Sequence, residues 1–513
     1  MRTSVGDGMG VDRAAEGALS TIESEGSSRR DQKSTENARP AWNHVASVGL
    51  MTNGGDRARH SYLAPQARVC IIGGGAGGLS AATYLKDRGY QRVTVLERAP
   101  RVGGLCESFT YDRLGFDLGG NYVMPGFDHV RALARRVDAA LVGSPSRIVW
   151  DHTMNGGRGG FRSVLQTVLQ GTTPWAFAEA CVRYRLLLLR YRDLVDSPGL
   201  RDIHEYPVLC QPFARFLASE GLDPLRRLFA IPLSIMGYGS PGRRGQPPAD
   251  AEYLDRLPTI YALKYVDAST FQTLLAVGMG LSNEWPRRFA DGYERLWERL
   301  SWTLDVRRGV NVEAVRRDGG VRVEYTRSGS PGVVREDYDA LILACPPPAT
   351  LGFLDASAEE RDLYGAFQYN EYCVTTAVTE GMRDHIVDVL PLTDFGRPWA
   401  MVKQWPGSDL CVYYSPVSPE VSDEVVIANI REDAARVGGR VTKVHSQRRW
   451  KYFPHVTSER MGAGFYRRLE ALQGDNRTFT FGNSMDFELA EKSAAYSKAR
   501  VEDFFPALLA GVV

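Results

Sequence analysis

Residues 68–104 read RVCIIGGGAGGLSAATYLKDRGYQRVTVLERAPRVGG, a stretch that admits few local folds. The apolar run 69–72 leads straight into Gly73, Gly75 and Gly78. A helical spacing of Leu79, Ala82 and Leu85 follows, and then a second apolar run at 93–96. Strand, glycine turn, helix and strand in that order predict a parallel βαβ unit. Each glycine answers a separate need: Gly73 the tight turn, Gly75 the approach of backbone to a pyrophosphate, Gly78 close packing of helix on strand. A helix opening near Gly75 aims unpaired N–H groups at phosphates. Glu97, closing the second strand, is placed to accept hydrogen bonds from ribose hydroxyls. Its charge repels a 2′-phosphate, so the expected adenosine is unphosphorylated. Glycine turns also serve purely structural ends, but such a turn does not need strand, helix and acid in register. At this point NAD and FAD both remain open.

A chain of 513 residues with 43% hydrophobic content can bury a large core and is expected to hold two interleaved domains. A formal net charge of +1 gives no reason to invoke nucleic acid. The seven cysteines (70, 106, 181, 210, 345, 373, 411) are scattered without CxxC spacing, which points to a reduced, cytoplasmic setting. The eight histidines show no paired ligand spacing, so no metal site is expected. No apolar run reaches the roughly 20 residues that span a bilayer. Residues 1–65 are charged, Ser-rich and poor in apolar side chains, and read as a disordered leader.

The residues after Glu97 carry the argument further. ERAPRVGG (97–104) resembles the ExxxxxGG extension of FAD-containing oxidoreductases, including the amine oxidases and phytoene desaturases. The resemblance implies that Arg101, Gly103 and Gly104 line the pyrophosphate and ribityl region. FDLGGNY (116–122) resembles the DxG piece of the same enzymes, where Gly119 and Gly120 let backbone pass near the isoalloxazine. VNVEAVRRDGGVRVEYTRSG (310–329) reads as two alternating strands around Asp318-Gly319-Gly320, followed by the buried strand of YDALILACPPPATL (338–351). This pattern resembles the strand pair and return of FAD folds and places Val312 against the adenine. TFTFGNSMDF (478–487) is a strand ending at Gly482, with a helical pattern after it at 493–505. In the resembling enzymes an acid follows that glycine; here it is Asn483, which can still hydrogen-bond a ribityl hydroxyl. Ala76, Gly77, Arg98, Leu105 and Asn121 complete the expected set for a non-covalently bound FAD.

The expected fold is therefore α/β: an amine oxidase-like, Rossmann-type FAD-binding domain interleaved with an α+β substrate/cap domain. Its cofactor-binding pieces are 66–150, 286–352 and 453–513; a helical cap fills 151–285 and a cap sheet 353–452. Within the helical part, WAFAEACVRYRLLLLRYRDLV (175–195) sets leucines among arginines. Such a pattern suits transient contact with a membrane surface or, the reading favoured here, a half-buried helix whose arginine stems lie along it.

Three further stretches resemble the flavin-dependent polyenoic fatty acid isomerases: PLSIMGYG with YALKYVDA (232–239 and 261–268), WPRRFADGYERLWERL (285–300) and WKYFPHVTSERMGAGFYRRLEALQG (450–474). The resemblance implies that oxidised flavin takes a hydride from a polyunsaturated chain and returns it at another carbon. Double bonds then move without net redox. Such chemistry needs a bent apolar channel, a carboxylate anchor and a dry flavin face. Arg147 is the candidate anchor for a lipophilic acid. Tyr122 is expected beside the flavin, and Tyr238 and Phe271 are candidates for the channel wall or plain core. His455 reads as a hydrogen-bonded structural histidine. The connection 240–260 is longer and richer in Pro and Arg than the isomerase pattern. Two alternatives stand beside isomerisation: a net oxidase or dehydrogenase, and a scaffold whose flavin is structural.

Overall fold

The computed structural model describes residues 63–235, 254, 256–282, 286–390 and 395–507. The expected leader (all but 63–65), Tyr238 and most of the 240–260 connection lie outside them.

The apolar runs around the glycine turn form the middle of a five-stranded sheet. Its order is Thr478–Thr480, Ala340–Leu343, Arg68–Ile72, Arg92–Leu96 and Asp305–Arg307, and every pairing is parallel. A strand covered on both faces must be apolar throughout, which is why 340–343 reads ALIL and is wholly buried. Helix Ala76–Asp87 packs beside helix Ala490–Phe504, where the Ser497 hydroxyl donates to the Gly77 carbonyl at 3.0 Å. The two strands expected around Asp318–Gly319 are present as Val310–Arg316 and Val321–Arg327. A third, Ser330–Tyr338, completes an antiparallel sheet with them.

A second large sheet has seven strands in the order Arg440–His455, Gln368–Glu380, Leu410–Val417, Ala400–Val402, Ile386–Leu390, Arg147–Asp151 and Gly160–Ser163. Strand Arg147–Asp151, inside the segment assigned to the first cofactor piece, pairs here in parallel with Ile386–Leu390. Residues alternate between two faces, as strands require. Cys411 and Tyr413 pack with Val426, Ile430 and Ala434 of helix Asp423–Arg436. Val412 and Tyr414 turn the other way, toward Phe116 and Leu118.

The remaining wall is helical. Thr173 caps helix Pro174–Arg190 through the Ala176 N–H, with Pro174 suited to the first turn, where no donor is required. Phe177, Tyr184 and Leu187 of this helix are buried while Trp175, Leu186 and Leu189 stay exposed, so it is half-buried. The Tyr184 ring lies 4.9 Å from Phe229 and 4.7 Å from Phe271, tying three helices together. No described helix is long and apolar enough to cross a membrane.

Candidate active site

Three glycine segments meet at the carboxyl edge of the parallel sheet. Gly73 has φ +114°, and a Cβ there would lie 2.5 Å from the Ala344 carbonyl oxygen. A Cβ on Gly77 would stand 2.9 Å from Gly482 Cα, and one on Gly104 3.1 Å from Gly75 Cα. The Gly103 N–H donates to Gly74 O at 2.8 Å, locking the extension onto the turn. Helix Ala76–Asp87 begins at Gly75 with no side-chain cap and no acid in its first turn, so its first N–H groups remain free for an anion. Glu97 holds the turn as well: its carboxylate accepts from Gly74 N–H and Ala99 N–H, both at 2.7 Å. Val310 N–H donates to Glu97 O at 2.9 Å, which sets Val312 one pleat further along the strand. Arg101 bonds Gly104 O and Glu107, whereas Arg98 is exposed. Gly119 lies so close to Leu105 that a Cβ would fall 1.6 Å from its carbonyl oxygen, and Gly120 N–H donates to the same oxygen. Unfilled donors around a side-chain-free cradle suit the pyrophosphate of FAD. Gly75, Ala76, Gly77 and Gly78 would hold it, with Glu97 at the ribose side.

Beside the cradle opens a cavity of about 1540 Å³, its mouth included. One wall is the inward face of the seven-stranded sheet: Tyr372 beside Trp450 and Val374 beside Tyr414 in register, with Tyr452 next to them. The opposite wall is helical, with Leu228, Ile231, Pro232, Leu274 and Val277. Leu105, Gly119, Gly120, Asn121, Leu489 and Ala490 line the side toward the cradle. Helix Ala490–Phe504 starts there without a side-chain cap, so its positive end faces the space. Among the described residues, Arg147 and Glu488 are the only lining ones with formal charge. Glu488 accepts from Asn483 Nδ2 at 2.7 Å and Phe453 N–H at 3.0 Å; burial pushes its pKa up to about 7 against those two bonds. Cys106, the only lining thiol among the described residues, is pushed up to about 12 by burial and is inert near neutral pH.

The structure brings the expected Arg147 and Tyr122 together in this cavity, but Arg147 is not a free cation. Its Nη1 contacts both oxygens of buried Asp388, at 2.6 and 2.8 Å, and its Nη2 donates to the Tyr122 hydroxyl at 3.0 Å. The reason is register. Arg147 sits opposite Ile386, so Asp388, two residues on, shares its face. Burial works against the Arg147 cation, yet the Asp388 charge outweighs it and holds the guanidinium firmly protonated. Asn121 donates to Tyr414 at 3.0 Å, and Asn483 is turned to Glu488. Phe271 is buried against Tyr184 and does not line the cavity. His455 pairs its Nδ1 with Phe453 O at 2.9 Å and also stays outside. Sequence reasoning missed Asp388, Glu488, Tyr372 and Tyr414. The alternation in 370–374 and 411–414 was the available signal for the tyrosines; nothing local marks either acid.

A parallel sheet with a glycine cradle at its carboxyl edge and an apolar cavity alongside defines an enzyme built on a dinucleotide cofactor. The family described as flavin containing amine oxidoreductase matches residues 76–482, and the chain belongs to it. Its cofactor is accordingly FAD. The FAD-dependent oxidoreductase oblC of Cochliobolus heterostrophus is 26% identical over 86% of this chain and 91% of its own. Beta-cyclopiazonate dehydrogenase of Aspergillus oryzae is 23% identical over 81% of this chain and 88% of its own. Among solved structures, the CLA-producing fatty acid isomerase from P. acnes superposes with a TM-score of 0.75. It is 25% identical and covers 86% of this chain and 100% of its own.

Proposed function

We propose that this enzyme moves double bonds along a long polyunsaturated lipid chain, with no net oxidation. The observation that carries the reading is the cavity wall. Among the described residues it is apolar and aromatic, it holds no histidine, and its one carboxylate is occupied by two donors, so the protein offers shape and dryness in place of an acid–base pair. The bound FAD supplies a hydride acceptor that can also return the hydride. Trp450, Tyr452 and Tyr372 press the chain flat beside the cradle, and the helical wall with Pro232 bends its tail. Tyr122, held in place by Arg147, meets the polar end, which fixes the carbon that faces the cofactor. Hydrogen and electrons balance within the substrate: a hydride leaves one allylic carbon, the cation delocalises, and the hydride rejoins at another position.

The likeness to the P. acnes isomerase supports this reading. The oxidoreductase and dehydrogenase names of the fungal relatives favour a second one, net oxidation of a lipophilic intermediate. Anaerobic incubation of the holoenzyme with a polyunsaturated lipid separates the two. Conjugated product over many turnovers without an electron acceptor is the expected result. One equivalent of product with stoichiometric flavin bleaching would overturn isomerisation in favour of oxidation.

A further inference from the structure

Arg147 and Asp388 form a closed electrostatic unit. The guanidinium spends Nη1 on both carboxylate oxygens, and the Asp388 side chain is only 4% exposed, so the pair presents no formal charge to the cavity. Buried Arg288 is stacked 3.6 Å over Trp405, where burial works against its charge and Asp117 supports it, and neither residue lines the cavity. Glu488 adds either nothing or one negative charge. Among the described residues the lining charges therefore never sum to a positive value, and a substrate carboxylate entering there would meet only the partial charge of the Ala490–Phe504 helix end.

The neutral groups point the other way. Tyr122 accepts from Arg147 Nη2, which commits a lone pair and leaves its proton to donate. Burial raises its pKa, and it remains a neutral O–H. The hydroxyls of Tyr372 and Tyr293 are closed off from the space, so the Tyr122 O–H is the donor that matters. A neutral donor of this kind suits a neutral acceptor.

We infer that Asp388 is a specificity residue: by cancelling Arg147 it makes the cavity select a lipid chain with an uncharged polar end, such as an ester, amide or ketone, over the free carboxylate. The inference rests on the lipid-chain reading of the cavity and departs from the anchor role expected for Arg147. An ester oxygen takes the Tyr122 O–H without displacing Asp388; a carboxylate must compete with it.

The test reads binding without turnover. Holoenzyme at pH 8 is titrated with cis-parinaric acid, a fluorescent polyene, and with its methyl ester, both below their aggregation concentrations. The wild type should bind the ester at least tenfold more tightly. Asp388→Asn, which frees the Arg147 charge, should tighten acid binding at least tenfold and leave the ester nearly unchanged. Because each result is a ratio within one protein, partial misfolding cancels. A double variant, Arg147→Met with Asp388→Leu, removes both charges and should keep the preference for the ester. Preference of the wild type for the acid would overturn the inference, as would an Asp388→Asn ratio equal to wild type. Binding with the expected preference, together with no conjugated product in the anaerobic incubation with a polyunsaturated lipid, would overturn the isomerase reading alone. Failure to bind either probe would overturn both.

Discussion

Glu488 makes the strongest quantitative demand on this structure. Its carboxyl lies in the cavity wall, and burial raises its pKa from the unfolded-chain value of 4.5 to about 7. Between those two values the folded protein binds a proton that the unfolded chain does not. Stability therefore falls as pH rises through that window and levels off above about pH 7. A rise from 4.5 to about 7 corresponds, at 1.36 kcal/mol per pH unit, to about 3 kcal/mol. Glu488→Gln cannot titrate. It pays a pH-independent penalty, because one of the two donors from Asn483 and Phe453 now meets an amide N–H. That penalty drops out of a difference taken between two pH values. The contribution of Glu491, also raised to about 7, is present in both proteins and drops out too. Relative to wild type, Glu488→Gln should gain about 2.5 kcal/mol between pH 5 and pH 8, since part of the window lies below pH 5, read as a Tm gap that moves by roughly 2–3 °C. Thermal unfolding at saturating FAD supplies the measurement. A gap that stays constant across that range would refute the argument that burial keeps Glu488 protonated.

Other perturbations follow from the same coordinates. Gly77→Ala drives a methyl group to 2.9 Å from Gly482 Cα, and overpacking of roughly 1–3 kcal/mol should weaken FAD binding about tenfold; an unchanged fluorescence titration would contradict the shared cradle. Arg317 bonds both oxygens of Glu360 and one of Asp355, so Arg317→Met strands two carboxylates, one of them buried, and should cost about 3–5 kcal/mol in unfolding experiments. Cys106 and Cys411 are buried, and burial pushes each up to about 12. A thiol reagent at pH 8 should leave both unmodified until denaturant is added; rapid labelling of either in the native state would contradict that burial.

The cofactor half of the molecule was legible because its information is local. Gly73, Gly78 and Glu97 lie within 25 residues of one another, and the backbone geometry that each requires excludes nearly every other residue type. The cap was harder to read, since its strands acquire meaning only through distant partners. Arg147 meets Asp388 across 241 positions, through a parallel pairing that neither strand announces. Phe271 illustrates a different limit. On helix Ala268–Gly278 it is buried against Tyr184 while Thr273 and Leu274 line the cavity, and spacing alone does not say which helical face meets the cavity. The aromatic run at 450–452 could be placed because it carried the isomerase resemblance, and Trp450 and Tyr452 do line the cavity.

The contact of Gly77 with Gly482 has a consequence for how the protein is made. The backbone that must close around the pyrophosphate comes from segments about 400 residues apart, and the edge strand Thr478–Thr480 joins the sheet beside Ala340–Leu343. At ~5–20 residues per second, the ribosome needs roughly 20–80 s to travel from the first glycine turn to the last. Until it is over, strand Ala340–Leu343 lacks its outer neighbour, and that edge of the sheet stays open. The cradle closes around the pyrophosphate only once Gly482 has been made.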